Sequence, residues 1–263
     1  MELGSRILYC DEQCVVVNKL CGEAVEGAAP GMADLPDMLA RYFNSIESVS
    51  KQSLRGNSAL LNLPAAVNRL DVPVTGCALF ARTQDALVFL NSVFAENFSA
   101  GLKNEHNNSK FAEKHYWAII EKPEKEFLPE ARLVHWIAFD TKRNKSVAYD
   151  EPGQDRKKAV LEYHVAGTGQ NYIFLEIQLF TGRHHQIRCQ FEKIGLHIKG
   201  DLKYGARRSE KAGGIRLHAR SLDFPNPKVF SASADSEFHR ERISVKCDPP
   251  LCDNLWQAFT AIA

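Results

Sequence analysis

Strand-like segments dominate the second half of the chain and most constrain its fold. From Lys114 onward five segments rich in β-branched and aromatic side chains follow one another: KHYWAII, RLVHWIAF, KSVAY, AVLEYHVA and NYIFLEIQLF. In the last of them one face carries four apolar side chains, Ile173, Leu175, Ile177 and Leu179. Helical patterns occur singly between runs of strands, so the chain is expected to adopt an α+β fold.

The first hundred residues predict a hairpin, a strand and two helices. Residues 6–19, with the segments RILYC and CVVVNK, are expected to pair as a β-hairpin. Residues 34–43 and 84–98 each carry apolar side chains at helical spacing. Thr83, at the end of the strand-like CALFART, is expected to cap the second helix.

The remaining segments complete a single domain over residues 1–263. A short helix in HHQIRCQFEKI, a strand in IRLHARSLDF and a closing helix in NLWQAFTAI are expected to follow the strands. Residues 44–59 and 100–110 are polar and lack periodicity, which is typical of loops or insertions.

Composition excludes several classes of protein. The chain is 44% hydrophobic and 25% charged, without an apolar run long enough to span a membrane or an N-terminal secretory pattern. Its seven cysteines are scattered, which favours a reducing, cytoplasmic location. No Cys-x-x-Cys pair occurs, so buried or inert thiols are expected and not a zinc site. No heptad pattern is evident, so a monomer is expected.

Positive charge is concentrated in one segment. Residues 181–220 hold ten Lys or Arg against three Asp or Glu, although the net charge of the whole chain is only +1. Such a segment can attract a polyanion, and it is equally typical of a solvated surface.

An aspartate and an arginine on separate elements are the first candidates for chemistry. Asp71 lies among apolar neighbours in NRLDVPVTG, where an unpaired carboxylate is costly to bury. Arg188 lies on the helix that follows the Thr181-Gly182 turn, at the edge of the core. It is expected to keep Asp71 ionised and to hold it through a bidentate fork. The alternatives are an aspartate that caps a turn and an arginine in a surface salt bridge.

Three further side chains are candidates for binding. Tyr116 shares its strand face with Lys114, although a tyrosine in such a position is usually part of the core. Arg183 and His184 precede a helix, where backbone N–H groups favour phosphate. His184 and His185 are adjacent and would diverge by about 100° on a helix, so no metal site is expected.

The order of these segments resembles the RluA-type pseudouridine synthases of RNA. ILYCDEQCVVVNK resembles the opening hairpin of that family, NRLDVPVTG its aspartate motif, KHYWAII its tyrosine motif and LFTGRHHQIR its arginine motif. GLHIKGDLKYG and IRLHARSLDFPNP resemble two closing segments, so the match covers residues 6–227. The resemblance implies a mixed, mostly antiparallel sheet flanked by helices, with a central active-site cleft.

The resemblance also implies a reaction and a site. Uracil would be detached from ribose, rotated and rejoined through carbon 5, without metal or cofactor, in a stem-loop of ribosomal or transfer RNA. Asp71, Tyr116 and Arg188 would be catalytic. The residues expected to contact the substrate are Arg69, Leu70, Arg183, His184, Gln186, Ile187 and Leu217.

Some positions depart from the family pattern. The family usually has Pro at Leu20, His at Asn68 and at Gln190, and a His-Pro pair at Leu196-His197. The chain is also expected to lack the small N-terminal S4-like domain of many relatives, so that recognition would rest on the catalytic domain. The departures leave open a catalytically silent RNA-binding protein or RNA-folding chaperone on the same scaffold. A separate alternative is an unrelated hydrolase that uses Asp71 or a pair of histidines.

Overall fold

Strands outnumber helices in the described part of the chain. The computed structural model describes residues 1–28, 31–47, 60–103, 111–228, 241–250 and 253–262. Its strands are β1 (Ile7–Cys10), β2 (Cys14–Lys19), β3 (Leu60–Ala66), β4 (Thr75–Thr83), β5 (Glu113–Glu121), β6 (Glu130–Asp140), β7 (Lys145–Tyr149), β8 (Lys157–Thr168), β9 (Tyr172–Leu179), β10 (Leu217–Pro225) and β11 (Arg242–Lys246). Its α-helices are α1 (Leu35–Glu47), α2 (Gln84–Lys103), α3 (Gln186–Lys193) and α4 (Asn254–Thr260).

All these strands belong to one sheet, in the order β1-β2-β4-β10-β5-β9-β8-β6-β7, with β11 beside β10 and β3 beside β4. Only β4 and β10 pair in parallel among the described strands. The predicted α+β fold with a mixed, mostly antiparallel sheet is confirmed. The parallel pair lies near the middle of the sheet and joins the strand after Asp71 to a strand more than a hundred residues away.

Alternating side chains on each strand build a core on both faces of the sheet. One cluster joins alternate residues of β2, β4, β5 and β9 to the apolar sides of α1 and α3. The intervening residues of β2 and β4 pack with α2, and those of β5 and β9 pack with α4. Tyr116 belongs to the first cluster, while its neighbour Trp117 faces the other way and stacks on Phe259 with ring centroids 4.5 Å apart. The period of two therefore decides which β5 side chains can reach the site.

Several expected boundaries are confirmed and others are wrong. The predicted hairpin and the faces of the β9 strand are confirmed. The predicted Thr83 cap is also confirmed, because the Ala86 amide donates to Thr83 Oγ1 at 3.2 Å. The predicted loops at 44–59 and 100–110 begin too early, because α1 continues to Glu47 and α2 to Lys103. Residues 48–59 and 104–110 lie outside the described part. No helix in that part is both long and apolar enough to cross a membrane.

The close approach of β4 to β10 requires glycine at position 76. Gly76 has φ of +114°, and a Cβ there would collide with the backbone of Ala219, its partner on β10. We expect Gly76→Ala to lower the free energy of unfolding by about 2–5 kcal/mol, measured by urea denaturation. Gly195→Ala is the matched control, because Gly195 also has positive φ but a Cβ there meets nothing within 4 Å. Equal losses in the two variants would show that strain in φ, and not the strand approach, sets the cost.

Candidate active site

Asp71 lies in the loop between β3 and β4, and buried groups fix that loop. The Val74 amide donates to the Asp71 carbonyl at 2.9 Å, which closes a tight turn. The fully buried Lys19, at the end of β2, donates from Nζ to three carbonyls, those of Leu20, Val72 and Val74, at 3.0, 3.1 and 2.6 Å. Because two of these carbonyls follow Asp71 directly in the loop, Lys19 anchors the segment that presents the carboxylate.

Lys19 is therefore expected to position Asp71 as well as stabilise the fold. Burial lowers the pKa of Lys19 to about 8, yet its ammonium has three carbonyl partners. We expect Lys19→Met to lower the free energy of unfolding by about 1–3 kcal/mol, and the single-turnover rate of a reaction at Asp71 by at least about tenfold. Lys157→Met, on an exposed strand residue, should change neither quantity. A destabilised Lys19→Met protein with the full rate would restrict Lys19 to the fold.

Asn68, where the resembled family usually has His, braces the same loop. Its buried side chain donates from Nδ2 to the Cys77 carbonyl at 3.1 Å and accepts from the Leu79 amide at 2.6 Å. The substitution thus has a structural role at the start of β4. The other departures lie outside the cavity lining: Leu20, Gln190, Leu196 and His197.

The Arg188 guanidinium, on α3, binds two carboxylates. Its Nη1 donates to Asp71 Oδ2 at 2.9 Å. Its Nε and Nη2 donate to Asp201 Oδ2 and Oδ1 at 2.7 and 2.8 Å. The structure brings the predicted pair together, but the bidentate fork predicted for Asp71 is made with Asp201 instead. The sequence does not indicate Asp201, because nothing in GLHIKGDLKYG links this aspartate to Arg188.

The Asp71 and Asp201 carboxylates differ in burial, and their roles differ accordingly. The Asp201 and Arg188 side chains are 1% and 5% exposed, whereas that of Asp71 is 22% exposed. Burial by itself would lower the pKa of Arg188, but hydrogen bonds and charge from Asp201 and Asp71 outweigh it and raise that pKa above its ordinary value. Asp201 thus fixes a permanently charged guanidinium, and that guanidinium holds Asp71 at the edge of open space.

Tyr116, on β5, presents a buried ring and a hydroxyl without a protein partner in the described part of the chain. It is 7% exposed and lines the same space as Asp71. Burial, and then the charge of Asp71, raise its pKa above the ordinary value, so the phenol is neutral. The hydroxyl is not among the buried polar atoms that lack a partner, so it is accessible from the cavity and available to a ligand there.

His185 is a further site residue that the sequence did not indicate. Its Nε2 lies 3.7 Å from Asp71 Oδ2, and its Nδ1 lies 2.8 Å from Tyr204 Oη. Burial, and then the charges of Arg188, His184 and Lys203, lower the pKa of His185 to about 2, so the imidazole is neutral and forms no ion pair with Asp71. Tyr204 Oη already accepts from the Ser146 amide at 2.9 Å. Tyr204 Oη also donates to the Ser146 carbonyl at 3.3 Å, so its contact with Nδ1 is compatible with a proton on either ring nitrogen of His185.

A cavity of about 830 Å³ opens in front of Asp71, Tyr116 and Arg188. Every residue predicted to contact the substrate lines it: Arg69, Leu70, Arg183, His184, Gln186, Ile187 and Leu217. Leu70, Ile187 and Leu217 are buried apolar walls, and Arg69 is exposed. The cavity therefore joins an apolar compartment to a basic rim.

The connection from β9 to α3 differs from the expected helix start. Gln186 is saturated within the protein, since its Oε1 accepts from the Thr181 hydroxyl at 2.8 Å and from the Arg183 amide at 2.9 Å. His185 adopts a left-handed conformation (φ 52°) just before the helix, so the predicted divergence of His184 and His185 on a helix is wrong. Their rings stack, with centroids 3.7 Å apart. Gln186 thus shapes the cavity wall and leaves its polar atoms little capacity for a ligand.

Comparisons with known proteins agree with this arrangement. A family model described as RNA pseudouridylate synthase matches residues 13–193. RNA pseudouridine synthase 4, mitochondrial, of Arabidopsis thaliana is 26% identical over 98% of this chain and 60% of its own length. Ribosomal large subunit pseudouridine synthase C of Vibrio cholerae is 27% identical over 93% of this chain and 70% of its own length. The chain thus spans less than two thirds of the Arabidopsis relative.

A solved structure has the same fold. Human RNA Pseudouridylate Synthase Domain Containing 4 matches with a TM-score of 0.66 at 19% identity, over 98% of this chain and 93% of that one. The fold expected from the resemblance is therefore confirmed. The cytoplasmic location and the monomeric state expected from the sequence stay predictions, and the Arabidopsis relative is named as mitochondrial.

Proposed function

This chain belongs to the RNA pseudouridylate synthase family, and we propose that it isomerises uridine to pseudouridine in structured RNA. The observation that carries the proposal is the Asp71 carboxylate, held by Arg188 at 2.9 Å and open to a cavity that Tyr116 also lines. A partly exposed carboxylate with a buried cation behind it is suited to act on a ligand. The same aspartate in a surface turn would need no such support.

The reaction requires a base to leave and return within one compartment. The bond between ribose C1′ and uracil N1 breaks and a bond between C1′ and C5 forms, while N1 gains a proton and C5 loses one. We propose that ionised Asp71 acts on the ribose, by attack at C1′ or by removal of a proton from the sugar. Both routes need the negative charge that Arg188 holds in place.

Tyr116 and the apolar walls are assigned to the base. The neutral phenol ring would stack on uracil, and its hydroxyl would meet the edge that carries the C5 proton. Leu217 and Ile187, 3% and 4% exposed, would exclude water and retain the detached base. His185, whose neutral imidazole lies 3.7 Å from Asp71 Oδ2, is assigned to packing beside the carboxylate and not to proton removal.

The RNA is proposed to be a stem-loop of ribosomal or transfer RNA. The target base must leave its stack to reach a cavity of this depth, at a cost of a few kcal/mol. The basic segment that was expected to bind phosphates is partly neutralised within the protein. Lys199 and Arg216 both pair with Glu210, and Arg220 pairs with Asp248. Phosphate contacts are therefore assigned to cations at the cavity, Arg69, Arg183 and Lys203 among them.

A pseudouridine map of the source organism tests the proposal. RNA from cells with and without this protein would be compared site by site, and the purified protein would be tested for tritium release from RNA labelled at uracil C5. Loss of one or a few defined sites together with tritium release is the expected result. An unchanged map and no release from any cellular RNA would contradict the activity.

A further inference from the structure

Lys114 is a buried cation that faces the cavity and has no acidic partner among the described residues. It lies on β5 two residues before Tyr116 and on the same strand face. It is 7% exposed, and it lines the same cavity as Tyr116. A Cβ placed on Gly182 would lie 3.7 Å from its Nζ, so the ammonium sits against the connection between β9 and α3.

The other deeply buried cations in the described residues have hydrogen-bond acceptors. Arg188 has Asp71 and Asp201, and Lys19 has three carbonyls. Around Lys114, by contrast, no carboxylate of the described part lies within ion-pair distance, and its neighbour is the Phe94 ring, whose centroid is 5.7 Å from Nζ. Burial, and then the charge of Arg183, lower the pKa of Lys114 to about 8. An unpaired lysine is rarely buried, because desolvation of its charge is costly.

The cavity lining thus carries two groups of charged side chains. Asp71 and Arg188 form one group, and the charge of Asp71 acts on Tyr116. Lys114 and Arg183 form the other, beside Gly182. Two residues along a strand span about 7 Å, which is the scale of a single nucleotide. A ligand whose base reaches Tyr116 and whose sugar faces Asp71 can place an anionic group against Lys114.

We propose that Lys114, with Arg183 beside it, forms a phosphate subsite that binds the phosphodiester group flanking the target uridine. This inference rests on the proposed function, because it takes the cavity as the uridine site. A phosphate oxygen would supply the acceptor and the negative charge that the described residues do not place beside Lys114. Lysine suits this role as a compact point charge, and a charge-assisted hydrogen bond formed away from water is stronger than a neutral one.

Binding of uridine and its monophosphates to the full chain tests the subsite. Dissociation constants for uridine, uridine 3′-monophosphate, uridine 5′-monophosphate and inorganic phosphate would be measured by NMR titration. We expect one of the two nucleotides to bind at least about tenfold more tightly than uridine. Lys114→Met should remove that preference. Lys125→Met, at an exposed residue before β6, should keep it. Above pH 8, where Lys114 loses its proton, the preference should fade.

Two results would overturn the inference. One is a wild-type protein that binds uridine and both monophosphates equally. The other is a folded Lys114→Met protein that keeps the preference. If Lys114→Met does not fold, the pKa of the Lys114 amine in the wild-type protein tests the subsite. The preferred nucleotide should raise that pKa, and uridine should not. Loss of tritium release with the preference intact would count against the proposed function alone, and tritium release without the preference would count against the subsite alone.

Discussion

Replacing Asp71 with Asn is expected to lower the rate of pseudouridine formation by at least about 10⁴-fold while leaving the fold and the affinity for RNA nearly unchanged. The amide has the shape of the carboxylate, and its oxygen can still accept from Arg188 Nη1 at the position of Asp71 Oδ2. It cannot supply the negative charge that acts on the ribose. Tritium release from labelled RNA measures the rate, and filter binding of the same RNA measures the affinity.

Asp155→Asn is the matched control, because it makes the same chemical change at an exposed residue of the loop before β8. It should keep the wild-type rate. A substantial rate in Asp71→Asn would remove Asp71 from the reaction. Wild-type protein that binds RNA but releases no tritium would favour the silent RNA-binding protein, which the departures from the family pattern left open.

Strand pattern and motif order predicted most of the fold and the central pair of the site. The period of two in KHYWAII placed Tyr116 on the correct face, and the spacing in HHQIRCQF placed Arg188 beside the inward Ile187. These predictions succeed because apolar periodicity is a local property that burial then enforces. Two strands lacked such a signal. β3 contains Pro64 at a sheet edge, and β11 has only two apolar side chains, Ile243 and Val245.

Three site residues depend on long-range contacts or backbone conformations that local sequence patterns do not predict. Asp201 meets Arg188 only because the chain turns back after α3, and no spacing rule links the two. His185 reaches Asp71 through a left-handed backbone conformation that a helical reading of HHQIR excludes. The sequence does place Lys114 on the strand face of Tyr116, where burial of a lysine charge would be costly. Only the contacts around it show that the described residues give it no acidic partner.

Arg188→Met is expected to lower the free energy of unfolding by about 3–5 kcal/mol and to abolish activity. The substitution leaves Asp201, 1% exposed, without the two hydrogen bonds that Arg188 donates to its carboxylate. It also frees Asp71, which is 22% exposed and can be hydrated from the cavity. Most of the loss in stability should therefore come from Asp201, and the loss of activity from Asp71. Urea denaturation and tritium release measure the two effects.

The double variant Arg188→Met/Asp201→Asn separates these effects. A neutral amide at position 201 removes the stranded charge, so the free energy of unfolding should return most of the way to the wild-type value. Activity should stay absent, because Asp71 still lacks the guanidinium that holds it. Restored activity in the double variant would show that Arg188 serves only to neutralise Asp201. Full activity in Arg188→Met would make Arg183, on the same cavity wall, the candidate partner of Asp71.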